Sequence, residues 1–577
     1  MLTRLEITGY RSLAAFTVAS VPNPWTLIGG NNAGKSNVLR ALEALLSDPS
    51  SALHDGDFAS HHENGLPRPR VKITGVFDGG EYSREWPLQA HAAQPEKPPA
   101  TFLFVPAFLL PAGHNFEAAP WDRRASFRRF MATIIHALYR AQIDPVTMAG
   151  ALADHTCSFV RQMLPGTEVR VAGGLSLQQA IPSIFAAIVD KLDGAPNPSL
   201  DDIEFALAKP SSTGSGFSSD VELQQSIRLF DGHESHSFEK GHGAQRALIL
   251  GLAIAAARTV ARGRPTILAL EEPELYFHSQ QCEFVARTLQ DIASTGSVQI
   301  VCATHSPEFV DPRRLGSVDR LQREKSNGLW QSRIPAGTEG TIRHRRNGVG
   351  KSQVAMLGLE IRNALFAKFV CVVEGPHDAE VLVELRPDMV PSASISCLVA
   401  GGCKGIPKVL RCLSKLGCRR PIVLDERDGQ VRHDPSEMSD DVKEKWIKST
   451  VDGALYGIHG RVSRHGESGV LVFPENLEAA LGMSPDVFRS NEKLFRTWFL
   501  LQHKEAPSNE PWNRVSSKTG DIVHFLEYPK SRDFLRAAQT KPEKFPLEVQ
   551  RAIADFKAGV EVLFSDENAA WAVGAVN

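Results

Sequence analysis

Several features that mark other classes of protein are missing from this sequence. Its 577 residues include 8 cysteines, and no two of them form a C-x-x-C pair. This pattern argues against a zinc ribbon or a disulfide framework and fits a reducing cytosol. The sequence contains no apolar run long enough for a transmembrane helix, and its first residues lack the apolar segment of a signal peptide. We therefore expect a cytoplasmic protein with no membrane partner.

The chain also lacks a large excess of charge of either sign. The chain has 64 Lys and Arg against 66 Asp and Glu, for a net charge of −2. A nucleic-acid site would therefore have to be a local basic patch, because there is no overall positive field. Hydrophobic residues make up 42% and charged residues 23%, which is ordinary for a globular protein. The length predicts about two to four domains.

The motif around which the chain is organised is GGNNAGKS at 29–36, which matches the phosphate-binding pattern G-x-x-x-x-G-K-[ST]. An apolar strand precedes it and an amphipathic helix follows it. Glycine lets backbone N–H groups face an anion. Lys35 supplies positive charge to the β and γ phosphates, and the Ser36 hydroxyl can bind Mg²⁺. The predicted ATP-binding residues here are Gly29, Asn31, Asn32, Gly34, Lys35, Ser36 and Asn37.

Two later apolar stretches, 266–270 and 298–303, predict buried strands that end in polar motifs. Parallel sheets bind ligands at the carboxyl ends of their strands, so we expect one active edge. Glu271 can hold Mg²⁺, and Glu272 can orient the attacking water. His305 can contact the γ-phosphate.

A second group of carboxylates follows two further predicted strands. Glu374 and Asp378 come after the strand at 369–373, and the run 425–428 (Asp-Glu-Arg-Asp) comes after the strand at 421–424. Acids crowded at adjacent strand ends cannot all stay ionised without a cation. Oxygen ligands favour Mg²⁺ or Mn²⁺. The sequence therefore predicts a metal site in a second α/β unit.

The first set of motifs resembles the ABC-type ATPase heads of the DNA-repair and SMC-related class. The segment 241–246 (Gly-His-Gly-Ala-Gln-Arg) resembles the signature motif of that class, with His242 and Ala244 in place of Ser and Gly. In such proteins two heads sandwich ATP. The resemblance therefore implies a homodimer or higher homo-oligomer in which Gly243 and Gln245 bind the nucleotide of the other copy.

The second set resembles the Toprim domain, whose pattern is an E-G-x-x-[DE] turn followed by D-x-D. Glu374 and Asp378 match the turn, but Glu426 stands before Arg427-Asp428 where Asp is usual, and Asp425 is the alternative ligand. Glu478 resembles a later acid that helps to hold a second metal. The resemblance implies two Mg²⁺ or Mn²⁺ ions at this site, besides one at the ATP site.

An ABC-type head with a helical insertion, followed by Toprim, resembles the overcoming-lysogenization-defect (OLD) nuclease family, to which the Gabija antiphage nuclease subunit belongs. The resemblance implies an ATP-binding, metal-dependent DNA endonuclease in antiphage defence, with a helicase or another defence protein as partner. It also implies a lysine near the metals, for which Lys541 is the candidate; a plain surface lysine is the alternative. The alternative function is an ATP-switched DNA-binding or scaffold protein with an inactive Toprim domain.

The predicted fold class is α/β, an ABC-type ATPase head with an inserted helical arm followed by a Toprim domain with a parallel sheet. The apolar faces of the arm, which include Phe130, Leu138 and Phe185, are expected to be buried between two copies. The predicted boundaries are 1–117 and 211–325 for the head, 118–210 for the arm, 326–364 for a linker and 365–577 for Toprim with a C-terminal extension.

Overall fold

The computed structural model contains two compact units, Met1–Glu339 and Gly340–Asn577. The described residues are 1–46, 53, 57, 70–86, 98–107, 127–166, 168–171, 175–192, 195, 198–208, 227–230, 234–236, 242–326, 329–334, 360–401, 405–406, 409–410, 413, 418, 421–426, 470–473, 481, 532–545 and 547–564.

The described strands and helices are numbered in chain order. The strands are β1 (Leu2–Tyr10), β2 (Leu13–Val18), β3 (Trp25–Ile28), β4 (Val71–Phe77), β5 (Gly80–Trp86), β6 (Thr101–Val105), β7 (Glu168–Val171), β8 (Leu175–Ser176), β9 (Ile227–Phe230), β10 (Glu234–His236), β11 (Thr266–Glu271), β12 (Val298–Ala303), β13 (Val318–Arg320), β14 (Gln322–Ser326), β15 (Leu329–Arg333), β16 (Phe369–Val373), β17 (Ile395–Val399), β18 (Ile422–Glu426) and β19 (Val470–Phe473). The helices are α1 (Lys35–Leu46), α2 (Phe127–Arg140), α3 (Pro145–Met163), α4 (Leu177–Lys191), α5 (Leu200–Ala208), α6 (His242–Val260), α7 (Ser279–Ser294), α8 (Glu360–Phe366), α9 (Pro376–Glu384), α10 (Arg532–Thr540) and α11 (Leu547–Leu563).

A five-stranded sheet in the order β13-β3-β12-β11-β6 forms the centre of the first unit, and every pair in it is parallel. All residues of β3, β11 and β12 are buried, as expected for a parallel sheet covered on both faces. Side chains alternate along β11. Leu268 and Leu270 enter a core that includes α6 and α7, whereas Ile267 and Ala269 enter a core that includes α1. The predicted α/β head with a parallel sheet is confirmed.

A second sheet of the first unit is antiparallel, in the order β2-β1-β4-β5. In β5 exposed and buried residues alternate, which is the pattern of a sheet with one solvated face. The buried face joins the core that covers α1. This sheet therefore supports the helix that follows the phosphate loop.

The inserted segment differs from the helical arm that was expected. Besides α2, α3, α4 and α5 it contributes β7 and β8, which join β9 and β10 of the following segment in the antiparallel sheet β10-β9-β7-β8, and α3 packs on α6. The apolar faces of α2 and α4 lie in the core of their own unit, with Phe130, Leu138 and Phe185 at 4%, 0% and 1% exposure. These side chains are not available to a second copy, so the expectation that they form a dimer interface is corrected.

The predicted linker also contains regular structure. Strands β14 and β15 form an antiparallel hairpin at 322–333, the connecting hairpin, in which Gln322 is opposite Arg333. Polar residues and glycine in this stretch favoured a linker, but tertiary contacts with the head stabilise the strands. The residues from 335 to 359 lie outside the described part of the chain.

The second unit has a parallel sheet in the order β17-β16-β18-β19. Its core combines apolar residues of β16 and α9 with residues of the C-terminal helices α10 and α11, such as Leu535 and Val560. The architecture agrees with the predicted second α/β unit; its identification as Toprim stays a prediction. Among the described residues, no helix is both long and apolar enough to cross a membrane.

Candidate nucleotide and metal sites

The phosphate loop occupies the connection between β3 and α1, as the motif predicted. Gly29 and Gly34 have positive φ angles of 145° and 100°, a region that favours glycine. A Cβ at Gly29 would collide with the carbonyl oxygen of Leu321, and one at Gly34 would lie 2.7 Å from Cβ of Ser332. Both glycines are therefore required by backbone conformation and by close packing.

Lys35 is held at the base of the loop. Its Nζ donates to the carbonyl oxygens of Gly29 and Gly30 at 3.0 and 3.2 Å and lies 2.8 Å from Nε2 of His305. An ammonium group has no acceptor, so Nε2 of His305 accepts and the imidazole is neutral. Burial lowers the pKa of Lys35 to about 8, although Glu272 opposes this. Burial and the charge of Lys35 lower the pKa of His305.

The two predicted acids lie at the end of β11, on the strand beside the one that leads to His305. Glu271 is buried, and its Oε2 accepts from the N–H of Ala107 at 3.2 Å. Oε1 of Glu272 lies 3.8 Å from Nε2 of His305. Burial, and next the charge of Glu271, raise the pKa of Glu272. A carboxylate with a raised pKa and a neutral imidazole beside it suit the orientation of a water molecule.

Glu274 has a role that the sequence did not reveal. Its side chain is half-buried, and its Oε1 accepts from the backbone N–H of His305 at 2.6 Å. Burial raises its pKa. Glu274 therefore positions the histidine through the backbone. In the sequence Glu274 stands close after Glu271 and Glu272, but nothing there indicates which strand end it contacts.

Arg246 is a second residue whose role appears only in the structure. It is fully buried in α6 and donates to the carbonyl oxygens of Pro106 and Glu271, both at 2.8 Å, and of Glu272 at 3.3 Å. Burial lowers the pKa of Arg246 to about 10, although the surrounding carboxylates, Glu274 first, oppose this. Arg246 thus ties the signature helix to the strand end that carries the acids.

Polar contacts also brace the start of α1. Nδ2 of Asn37 donates to Oγ of Ser12 at 2.8 Å, and Nη1 of Arg11 donates to Oδ1 of Asn37 at 3.4 Å. Arg11 in turn forms an ion pair with the buried carboxylate of Asp57, at 2.6 Å from Nη2 to Oδ1. The turn between β1 and β2 is therefore part of the site, although no sequence motif marks it.

These elements enclose a cleft of about 580 Å³, hereafter the phosphate cleft. This volume is in the range of about 300–1,000 Å³ usual for small-molecule sites. The predicted residues that line it are Asn31, Asn32, Gly34, Lys35, Ser36, Asn37, Glu272 and His305, and the additional ones are Ser12, Ala33 and Arg323. The structure thus brings the phosphate loop, one acid and the histidine to one cleft.

Within the same chain, the described residues of the signature segment, 242–246, do not line this cleft. A Cβ at Gly243 would lie 2.8 Å from the carbonyl oxygen of Tyr276, and the ring of His242 lies 4.8 Å from that of Tyr276. Gln245 is buried at 2% exposure. Binding of a second copy's nucleotide by Gly243 and Gln245 stays a prediction.

In the second unit, Glu374 directly follows β16 and is half-buried, and Asp378 lies in the first turn of α9. Oδ2 of Asp378 accepts from the N–H of Gly375 at 2.8 Å, so this carboxylate caps its helix. Strand β18 extends through Asp425 and Glu426, two residues further than expected. Because β18 pairs with β16 in parallel, the carboxyl ends of these strands are neighbours.

The other residues of the predicted metal site lie partly outside the described chain. Asp428 and Glu478 lie outside the described residues, and Lys541 is exposed at the end of α10. Within the described part of the chain, no group of three or more His, Cys, Asp or Glu residues is arranged to hold a metal ion. The assignment between Asp425 and Glu426 stays open.

Comparison with known proteins first defines a class. Residues 1–100 and 175–310 match the family model of the AAA ATPase domain. This match covers the phosphate loop, the acids of β11 and His305, so these parts of the chain are similar to an ATPase domain.

The more particular resemblance is to the OLD nucleases. The OLD nuclease of Thermus scotoductus is 23% identical over 453 residues, which cover 74% of this chain and 82% of that protein. The Old nuclease of Escherichia phage P2 is 21% identical over 481 residues, which cover 74% of this chain and 77% of that protein. Among solved structures, an SMC head bound to the C-winged helix domain of ScpA matches with a TM-score of 0.35 and 13% identity, covering 57% of this chain and 96% of that one. The predicted resemblance to the OLD family is confirmed by the two sequence matches.

Proposed function

We propose that this chain is a nuclease under nucleotide control, in which the first unit binds and hydrolyses ATP and the second cleaves DNA. The observation that carries the proposal is the phosphate cleft, where Lys35, Glu272 and His305 meet from separate segments. The resemblance to OLD nucleases over three quarters of the chain supports the nuclease half.

The residues of the cleft, and the acids Glu271 and Glu274 beside it, have distinct roles in ATP hydrolysis. The loop N–H groups and the ammonium of Lys35 bind phosphate oxygens. Glu272 accepts a hydrogen bond from the attacking water and orients it toward the γ-phosphate. The neutral ring of His305, held through its backbone by Glu274, lies beside both groups. Ser36 and Glu271 offer the oxygen ligands that suit Mg²⁺, which supplies charge to neutralise the phosphates when bound.

The proposed cleavage site is the carboxyl edge of the second unit's sheet. Its ligands are Glu374 and Asp378 with Asp428 and Glu478, and with either Asp425 or Glu426. Bound Mg²⁺ or Mn²⁺ ions supply charge and an activated water for phosphodiester hydrolysis. Lys541 is the proposed cation near the scissile phosphate. The position of Glu374 directly after β16 supports this arrangement.

Cleavage of supercoiled plasmid tests the proposal. Wild-type protein with Mn²⁺ or Mg²⁺, with and without ATP, is expected to nick or linearise the plasmid. Glu374→Ala should lower cleavage by about 100-fold because the metal shifts or is lost, with ATP hydrolysis unchanged. The matched control is Glu380→Ala, an exposed acid on α9, which should cut normally. Cleavage by Glu374→Ala at the wild-type rate would refute this site.

A second candidate function is an ATP-switched DNA-binding or scaffold protein. The cap that Asp378 forms with Gly375 favours it, because that hydrogen bond gives the carboxylate a structural role besides any metal binding. In this case wild-type protein binds DNA in an ATP-dependent gel-shift assay but leaves the plasmid uncut with Mn²⁺ and with Mg²⁺. The same plasmid assay therefore separates the two functions.

The resemblance also supports a homodimer or higher homo-oligomer, a cytoplasmic location, antiphage defence and a helicase or other defence protein as partner. The homo-oligomer follows from the ABC-type arrangement, in which the signature segment of one copy faces the phosphate loop of another. Light scattering with and without ATP tests it. A monomer under both conditions would overturn the assembly but not the ATPase site.

A further inference from the structure

The connecting hairpin, strands β14 and β15 at 322–333, packs directly against the phosphate loop. Strand β13 lies parallel to β3, and the N–H of Leu321 donates to the carbonyl oxygen of Ile28 at 2.8 Å. The chain therefore runs beside the strand that enters the loop before it turns into the hairpin. No motif marks this part of the sequence.

Ser332 in β15 fixes the hairpin to the loop. It is fully buried, and its N–H donates to the carbonyl oxygen of Ser12 at 2.7 Å. Its Oγ donates to Oγ of Ser12, also at 2.7 Å, and that same oxygen accepts from Asn37. The absence of a side chain at Gly34 makes room for Ser332. One hydroxyl of the hairpin thus belongs to the network that braces the phosphate loop and α1.

Arg323 in β14 is the cross-strand partner of Ser332. Directly opposite residues in an antiparallel pair have closely spaced Cβ atoms, so anchoring Ser332 also sets the position of Arg323. The arginine is exposed and lines the phosphate cleft together with Lys35 and Glu272. A guanidinium remains charged at all working pH values and matches phosphate oxygens in geometry.

We propose that Arg323 is a further nucleotide-binding residue, which contacts the phosphates of ATP, and that Ser332 is its positioning residue. The proposal rests on ATP binding by the phosphate cleft. It follows that the hairpin is ordered by nucleotide, because a bound phosphate tethers β14 to the loop in addition to the Ser332 contact. The order of the hairpin, which lies at the C-terminal end of the head, thereby depends on whether nucleotide is bound.

Calorimetry of the full chain with MgATP tests the proposal. Arg323→Ala is expected to weaken ATP binding about 10-fold or more, the loss expected for one charge-assisted hydrogen bond. Arg323→Lys should recover part of the affinity. The matched control is Arg333→Ala, an exposed arginine on the same hairpin that bonds to Gln331 instead of lining the cleft. It should bind within twofold of wild type.

Hydrogen exchange of residues 322–333 supplies a readout that a purely structural role would not move. ATP should slow exchange there in wild type but not in Arg323→Ala, and Ser332→Ala should show a smaller ATP-dependent change than wild type. If wild type fails to bind ATP, the proposed function fails. If wild type binds and Arg323→Ala binds within twofold, with the same exchange response, this inference alone is overturned.

Discussion

Replacing Arg246 with methionine tests the central polar contact of the ATPase head. The substitution keeps a long flexible side chain but removes the guanidinium that bonds to three carbonyl oxygens. Each acceptor left buried without a partner costs about 1–3 kcal/mol, and loss of a buried charge among carboxylates costs about 3–5 kcal/mol. These terms overlap, so we expect a loss of about 4 kcal/mol, a large share of a typical stability of about 5–15 kcal/mol.

Native-state hydrogen exchange of strand β11 is the suitable assay, because it reports the opening free energy of this unit separately from the second. Arg258→Met is the matched control, since Arg258 is exposed on the same helix, and it should change the opening free energy by under about 0.5 kcal/mol. Arg246→Lys should fall between the two, because one ammonium cannot reach all three carbonyls. If the opening free energy of β11 in Arg246→Met is within about 1 kcal/mol of the wild-type value, the guanidinium does not stabilise the strand end.

Three further predictions concern the proposed chemistry. Lys35→Ala should abolish tight ATP binding in calorimetry, with an unchanged circular dichroism spectrum. In wild type the affinity for ATP should fall as the pH rises from about 7 to 9. The reason is that burial lowers the pKa of Lys35 to about 8, so its positive charge is lost over this range. Glu272→Gln should bind ATP normally but hydrolyse it about 100-fold more slowly, and wild-type turnover in a phosphate-release assay would move the water-orienting role elsewhere. Asp378→Asn keeps an oxygen that can accept from the N–H of Gly375, so the melting temperature should remain unchanged while plasmid cleavage is lost. Normal cleavage would show that Asp378 only caps its helix.

Local patterns in the sequence were enough for the framework of the ATPase head. Glycines beside Lys35 predicted the phosphate loop because few other residues allow those backbone angles, and the structure has Gly29 and Gly34 at positive φ. Apolar runs predicted β11 and β12, and both are fully buried. Since their polar endings mark strand ends, the sequence also predicted that Glu272 and His305 would meet at one edge. Short-range chemistry determines the loop and the strands, whereas the meeting of Glu272 and His305 also requires β11 and β12 to pair in parallel.

Only the tertiary structure decided which distant segments share the site. Ser12 and Ser332 are 320 residues apart in the chain yet form a hydrogen bond, and no local pattern predicts such a contact. The burial of Arg246 under the acids and the placement of Arg323 in the phosphate cleft depend in the same way on packing. The inserted helices show the limit most clearly. Their apolar stripes indicated burial, but an apolar face does not specify what it packs against. The apolar faces of α2 and α4 pack into their own unit instead of against a second copy. Hydrophobic burial is non-directional, so the sequence determined what had to be covered and the fold determined what covers it.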